Sequence, residues 1–163
     1  MLYIREVKRS DHDAIWKIFH EIISRGETYP YPPDTSREEA LNIWVGQPTS
    51  TYVADLGDET VGTYYIKPNQ PRLGSHVCNC GYLVKEKARG CGVGSAMCEH
   101  SQIEARRLGF QAMQFNLVAA SNLDAVKLWQ KMGFDIIGTL PKAFSHRRLG
   151  LVDAHVMYKR LQT

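Results

Sequence analysis

The sequence predicts a single α/β domain in which a mixed sheet carries helices on both faces. Three observations lead there. Apolar patterns alternate between strand and helix periods in the order β-α-α-β-β-β-α-β-α-β-β, and no repeat, low-complexity segment or linker interrupts that order. A length of 163 residues, 44% apolar and 23% charged, suits one ordinary globular core.

The chain opens on Leu2-Tyr3-Ile4-Arg5-Glu6-Val7, a strand that stops at polar Lys8-Arg9-Ser10. Ser10 can cap a helix whose Ile15, Ile18, Phe19 and Ile22 recur at i, i+3, i+4 and i+7, which gives it one apolar face. That helix ends near Gly26. Tyr29-Pro30-Tyr31-Pro32-Pro33 cannot continue it, because proline lacks an N–H and fixes its own φ. Ser36-x-x-Glu39 then reads as the capping box of a second helix carrying Ala40, Leu41, Trp44 and Val45. The proline segment between them is either a plain connector or a lid over an acceptor site, with Tyr29 and Tyr31 as its substrate contacts.

Thr51-Tyr52-Val53-Ala54 and Val61 to Ile66 are β-rich runs joined by residues 55–60, an antiparallel hairpin. Lys67 to Gly74 reads as a turn-rich loop into a strand over residues 76–84. Next comes Ala88-Arg89-Gly90-Cys91-Gly92-Val93-Gly94-Ser95-Ala96, three alternate glycines behind an arginine, leading into a helix from Val93 to Leu108. The order strand, glycine turn, helix suits a phosphate. N–H groups at a helix start lack intrahelical partners and carry the positive dipole end, and glycine lets a pyrophosphate approach the backbone. The P-loop is excluded because Ser95, not lysine, follows Gly94; the dinucleotide fingerprint fails because Ser95 or Met97 stands where its last glycine or alanine belongs.

Ala112 to Val118 is another strand, followed by a helix that Ser121 or Asn122 can cap and that Gly133 stops. Ala125, Leu128, Trp129 and Met132 form its buried stripe. Phe134 to Gly138 and Val152 to Tyr158 close the chain as strands around a basic loop, Leu140 to Gly150.

A net charge of +3 and pI of 8.7 with no run of Lys or Arg suit an anionic small ligand and argue against nucleic acid as a partner. No signal peptide is visible near Met1 and no apolar run reaches membrane-spanning length, so a cytoplasmic protein without a membrane partner is expected. Cys78, Cys80, Cys91 and Cys98 are expected as free thiols. His76, Cys78 and Cys80 would share a strand face, but the spacing and ligand pairs of a zinc site are missing, and no metal is expected.

The pattern Arg89-x-x-Gly92-x-Gly94 resembles the acyl-CoA-binding loop of the GNAT N-acetyltransferase superfamily. A second segment, Asn122-x-x-Ala125-x-x-Leu128-Trp129-x-x-x-Gly133-Phe134, is similar to that family's helix beside the pantetheine arm, and the order of elements matches along nearly the whole chain. The resemblance implies a mostly antiparallel sheet with a splayed central strand pair and acetyl-CoA as the acetyl donor. It implies that Tyr82, Leu83 and Val84 pair through their backbone with pantetheine. Arg89, Gly90, Cys91, Gly92, Val93, Gly94 and Ser95 would hold the pyrophosphate, and Asn122, Ala125 and Trp129 would lie beside the arm. Trp129 stands where the family frequently has a tyrosine general acid, and an indole N–H is no practical proton donor to a leaving thiolate.

Ser75-His76-Val77-Cys78-Asn79, Phe115-Asn116-Leu117-Val118 and Ser121-Asn122 resemble the azetidine-2-carboxylate acetyltransferase subgroup. That resemblance implies acceptor binding, carbonyl polarisation and cofactor contact by Asn79, Asn116 and Asn122; the plainer alternative is that Asn79 and Asn116 merely terminate strand pairing. The chemistry implied is direct attack of a neutral amine on the acetyl thioester, with Asn116 and Asn79 catalytic, Asn79 also binding acceptor, and His76 a water-linked base. The expected acceptor is a small amino acid or amine. The alternatives are a protein N-terminal or lysine acetyltransferase, which needs an open groove, and a non-catalytic acyl-CoA-binding module; a homodimer stays open.

Overall fold

The computed structural model describes residues 1–161. Strands β1 (Leu2–Glu6), β2 (Ser50–Leu56), β3 (Glu59–Pro68), β4 (Val77–Val84), β5 (Ala112–Ala119), β6 (Asp135–His146) and β7 (Gly150–Arg160) form one sheet ordered β1-β2-β3-β4-β5-β7-β6. Every neighbouring pair is antiparallel except β4 and β5. Helices α1 (His12–Ile23) and α2 (Arg37–Leu41) cover one face; α3 (Val93–Arg107) and α4 (Leu123–Lys131) cover the other. Because side chains alternate along a strand, the sheet feeds two cores. Val53, Tyr65 and Leu83 pack with Ile15, Ile18 and Phe19 of α1, while Tyr64, Ile66, Cys78 and Met113 pack with Met97, Val126 and Trp129 of α3 and α4.

Helix α1 buries the predicted Ile15, Ile18, Phe19 and Ile22, but Ser10 is not its cap. A 3₁₀ turn, Arg9–Asp11, precedes it, and the Asp11 carboxylate takes the Lys8 N–H at 2.6 Å and both Arg5 Nη groups at 2.8 and 2.9 Å. A carboxylate that also pairs with a guanidinium outcompetes a hydroxyl at the same turn. Ser36 does cap α2, accepting the Glu39 N–H at 3.2 Å. A π-helical turn, Asn42–Gly46, follows and sinks Trp44 into the core, its indole donating to Thr63 Oγ1 at 3.1 Å.

Two segments expected as loops are strand. Lys67 lies in β3, opposite Asn79 of β4, and Leu140 to His146 extend β6 far beyond Gly138. Strand β6 is the sheet edge and most of its side chains are exposed, so it has no apolar alternation to read, and an edge tolerates Pro141. Only residues 147–149 turn between β6 and β7.

The feature that positions the site is the failure of β4 and β5 to stay together. They pair in parallel only at Val77↔Ala112 and Cys78↔Met113, then diverge. Strand β5 slips register against β7 between Phe115 and Val118, a bulge that carries Asn116 and Leu117 at the point of divergence. No helix among the described residues is long and apolar enough to cross a membrane.

Candidate active site

Divergence of β4 from β5 opens a cavity of about 980 Å³ that reaches from the glycine turn, between the strands, to the segment joining α1 and α2. Its first wall is the edge of β4. The Val77 carbonyl accepts from Asn69 N–H and the Lys85 N–H donates to Val61, each at 2.8 Å, so odd-numbered backbone groups of β4 face β3. Even-numbered ones, at Cys80, Tyr82 and Val84, therefore face the slot. The edge is a row of ladder groups awaiting an amide-rich partner. At Tyr82 both groups are engaged by one side chain: the Tyr29 hydroxyl donates to the Tyr82 carbonyl and accepts from the Tyr82 N–H, each at 2.8 Å. Burial pushes the Tyr29 pKa up, so the hydroxyl stays neutral and can do both.

At the far end of the slot lies the glycine turn. Gly90 and Gly92 have φ of +78° and +79°, where a Cβ is strained, and nothing lies within 4 Å of either Cβ position. The first bond of α3 runs from Ala96 N–H to the Gly92 carbonyl at 3.0 Å, which leaves the N–H groups of Val93, Gly94 and Ser95 without intrahelical acceptors. Arg89, Gly90, Gly92, Val93, Gly94 and Ser95 line the cavity; Cys91 is exposed outside it and contributes only to the turn. Gly94 serves a different need, since a Cβ there would meet Leu128 Cδ2 of α4 at 3.2 Å. An open cradle at the N-terminus of a 15-residue helix, continued by a free strand edge, fits the pyrophosphate and pantetheine of acetyl-CoA.

Helix α4 supplies the opposite wall. Asn122 caps it, its Oδ1 accepting Ala125 N–H at 3.3 Å, and Asn122, Ala125 and Trp129 all line the cavity. Trp129 is 9% exposed and its ring packs 4.9 Å from Tyr82 and 5.0 Å from Phe115, so it is chiefly a core residue.

Near the mouth of the splay the side chains form a continuous polar chain. Tyr65 Oη donates to Asn79 Oδ1 at 3.2 Å, and Asn79 Nδ2 donates to the Gln114 carbonyl at 3.0 Å. Gln114 Nε2 then donates to Asn116 Oδ1 at 3.0 Å, and Asn116 Nδ2 to Asn69 Oδ1 at 2.7 Å. Asn79 thus stitches β4 to β5 with its side chain one residue past their last backbone pair. Asn79 and Asn116 both line the cavity, Asn79 nearly buried and Asn116 exposed.

Tyr29 and Tyr31 stack at 6.1 Å and roof this end. Their segment is tied to the β6–β7 hairpin: Arg147 N–H donates to the Gly26 carbonyl at 2.9 Å, Arg147 Nη1 to the Ser24 carbonyl at 3.0 Å, and Arg148 pairs with Glu27 at 2.9 Å. His146 holds the hairpin turn, its Nδ1 accepting the N–H groups of Arg148 and Leu149 at 3.1 Å.

His76 does not join this constellation. It is exposed where β4 begins, before the strands separate, and does not line the cavity. Cys78 is buried in the core on the α3–α4 side and does not line the cavity, whereas Cys80, buried in the same core, does. Burial pushes the Cys80 thiol well above its ordinary value and Cys98 up to about 11, so neither is a ready nucleophile. Residue patterns did not single out Lys67, Tyr65 or Gln114; their only signal was period-two alternation, and their relation to Asn79 depends on strand register.

The sequence profile of the Acetyltransferase (GNAT) family matches residues 16–134. The chain belongs to this family. Acetyl-CoA-dependent N-acetyl transfer is accordingly its activity, with acetyl-CoA as the donor. Among solved structures, a GCN5-related N-acetyltransferase from Kribbella flavida is 42% identical with a TM-score of 0.93, covering 98% of each chain. N-acetyltransferase aca1 of Schizosaccharomyces pombe is 32% identical, over 82% of this chain and 72% of its own. L-amino acid N-acetyltransferase AaaT of Escherichia coli is 30% identical over 96% of both. As a GNAT enzyme the protein has the expected single-domain α/β fold, with its mostly antiparallel sheet splayed at the centre.

Proposed function

We propose that this GNAT enzyme acetylates the amine of a small amino acid or small amine, in the manner of the azetidine-2-carboxylate subgroup. The observation that carries the reading is the bridge over the acceptor end. Arg147 and Arg148 of the β6–β7 hairpin bind Gly26, Ser24 and Glu27, which ties the hairpin to the segment carrying Tyr29 and Tyr31 and narrows that end of the cavity. A protein acceptor needs an open groove there. The name of the Escherichia coli relative, an L-amino acid N-acetyltransferase, points the same way.

In this reading the N–H groups of Val93, Gly94 and Ser95 receive the pyrophosphate and the Tyr82 and Val84 backbone receives the pantetheine amides. The Tyr82 N–H, once Tyr29 yields it, is a donor for the thioester oxygen. The Asn116 amide, on its bulge, meets charge that develops as the acceptor amine attacks. Asn79 positions rather than reacts, since it is buried and ties Tyr65 to the Gln114 carbonyl of β5, whereas Asn116 is exposed to the cavity. His76 does not line the cavity, so in this reading the proton leaves through water.

Thiol release from acetyl-CoA, measured against small amino acids, polyamines and peptides with free N-termini, tests the proposal. Small amino acids or amines should give the highest kcat/KM. Faster turnover with peptides would overturn it.

A further inference from the structure

Lys67 is a cation on the acceptor side of the cavity for which the donor gives no use. It stands one residue before the end of β3, on the same face as Tyr65, its ammonium 5.1 Å from the Tyr65 ring centroid, and it lines the cavity. No ion pair among the described residues includes it. The other cationic side chains of the cavity are otherwise placed: Arg25 pairs with Glu86, Arg148 with Glu27, and Arg89 belongs to the glycine turn. The acids that line it, Glu27 and Asp124, lie on the proline segment and in the first turn of α4.

Register fixes where the ammonium stands. Lys67 lies opposite Asn79, and five further residues of β4 lead to Val84 before the glycine turn, roughly 16 Å at about 3.3 Å per residue. Lys67 is thus at the far end of the slot from the pyrophosphate cradle and is not a phosphate ligand. Tyr64 lies opposite Tyr82, so only three residues, roughly 10 Å, separate Lys67 from the backbone that faces the reacting carbonyl. A thioester carbon, an attacking amine and a carboxylate one or two carbons beyond it fit that span, with a charge-assisted contact of about 2.8 Å to the ammonium. The surrounding groups, Tyr65, Asn79, Gln114 and Asn116, are neutral.

We infer that Lys67 binds the carboxylate of the acceptor and so selects free α- or β-amino acids over simple amines, amides and peptide N-termini. The inference rests on the small-acceptor reading above and narrows it. A polyamine would bring a second positive charge to Lys67, and a peptide would bring a neutral amide where the carboxylate belongs.

The test compares L-alanine, L-proline and L-phenylalanine with their carboxamides, in the wild-type protein and in Lys67→Met and Lys67→Arg. Wild type should favour the free acids. Lys67→Met should raise the KM of the acids by ~10- to 100-fold, the worth of one charge-assisted contact, and leave the KM of acetyl-CoA and of the carboxamides unchanged. Lys67→Arg should recover part of the loss. Equal shifts for acid and amide, or no shift for either, would overturn the role of Lys67 while leaving N-acetylation of small amines intact. Absence of turnover with every small amine would instead remove the parent reading and this inference with it.

Discussion

Gly92 and Gly94 show how similar residues in one motif answer to different physics. Gly92 has φ of +79° with open space around its Cβ position, whereas Gly94 is helical and faces Leu128 at 3.2 Å. A charge placed at Gly92 enters the cradle itself; a side chain at Gly94 also pries α3 from α4. Gly92→Ala should cost about 1 kcal/mol of stability from left-handed strain and leave acetyl-CoA binding measurable. Gly92→Glu should add the same strain but abolish binding by calorimetry, because its carboxylate occupies the positive helix end. Retained affinity in a folded Gly92→Glu protein would dismiss the cradle. Asn79 and Asn116 separate in the same way. Asn116→Ala should lower kcat by roughly 10²–10³ with acetyl-CoA affinity little changed, the behaviour of a donor to developing charge. Asn79→Ala leaves the Tyr65 hydroxyl and the Gln114 carbonyl without their partner, so it should cost ~1–3 kcal/mol in chemical denaturation. Its kinetic losses should then appear in the KM of both substrates, as a distorted splay would produce.

At the scale of elements, the free edge of β4 and the proline segment compete for the same space. Tyr29 satisfies the Tyr82 N–H and carbonyl, the two groups that an acyl-pantetheine chain would use, while its ring stays anchored edge-on to Trp44 at 6.2 Å and stacked on Tyr31. Tyr29→Phe keeps the ring and removes the competitor. Acetyl-CoA should then bind tighter, by roughly 3- to 10-fold for two neutral hydrogen bonds of about 0.5–1.5 kcal/mol each, less what the binding chain already recovers. Weaker binding would mean that Tyr29 contacts the donor and does not yield to it. Much of this arrangement was legible in the residues. The glycine turn, the α4 cap at Asn122 and the tyrosines beside the prolines are local patterns, and local patterns survive folding. What escaped was non-local: that the Tyr29 hydroxyl reaches Tyr82, that Lys67 sits opposite Asn79, and that the β6–β7 hairpin closes over Gly26. That His76 stands outside the cavity was hidden for the same reason, since sharing a short segment with Asn79 says nothing about where two strands part. Edge strand β6 was cut short because an exposed edge carries no buried stripe to mark it.

At the scale of the whole molecule, each side of the sheet carries a titratable group whose pKa is lowered, His100 on one and Asp11 on the other. Burial lowers the His100 pKa from 6.5, where the ring meets the Tyr64 hydroxyl at 2.6 Å between α3 and the sheet. On the other side the Arg5 guanidinium holds Asp11 below its ordinary 3.8. Both folded values lie under the unfolded ones, so in each window the unfolded chain binds more protons and stability rises with pH. The His100 contribution is complete above 6.5 and is lost as pH falls through its lowered folded value; that of Asp11 is complete above 3.8 and disappears below it. Thermal unfolding should therefore give a flat Tm above neutrality, a first decline on acidification from about pH 6.5 and a second, steeper one under about pH 4. His100→Gln should flatten the first decline alone. Asp11→Asn should lower Tm already at neutral pH, because Arg5 loses its ion pair and one of the two acceptor oxygens that serve Arg5 and the Lys8 N–H becomes an NH₂ donor, and should flatten the second decline. Should both variants keep the wild-type profile, acid sensitivity would lie in other carboxylates, of which Glu59, held down to about 2 by Lys85 and Lys87, is the first to replace.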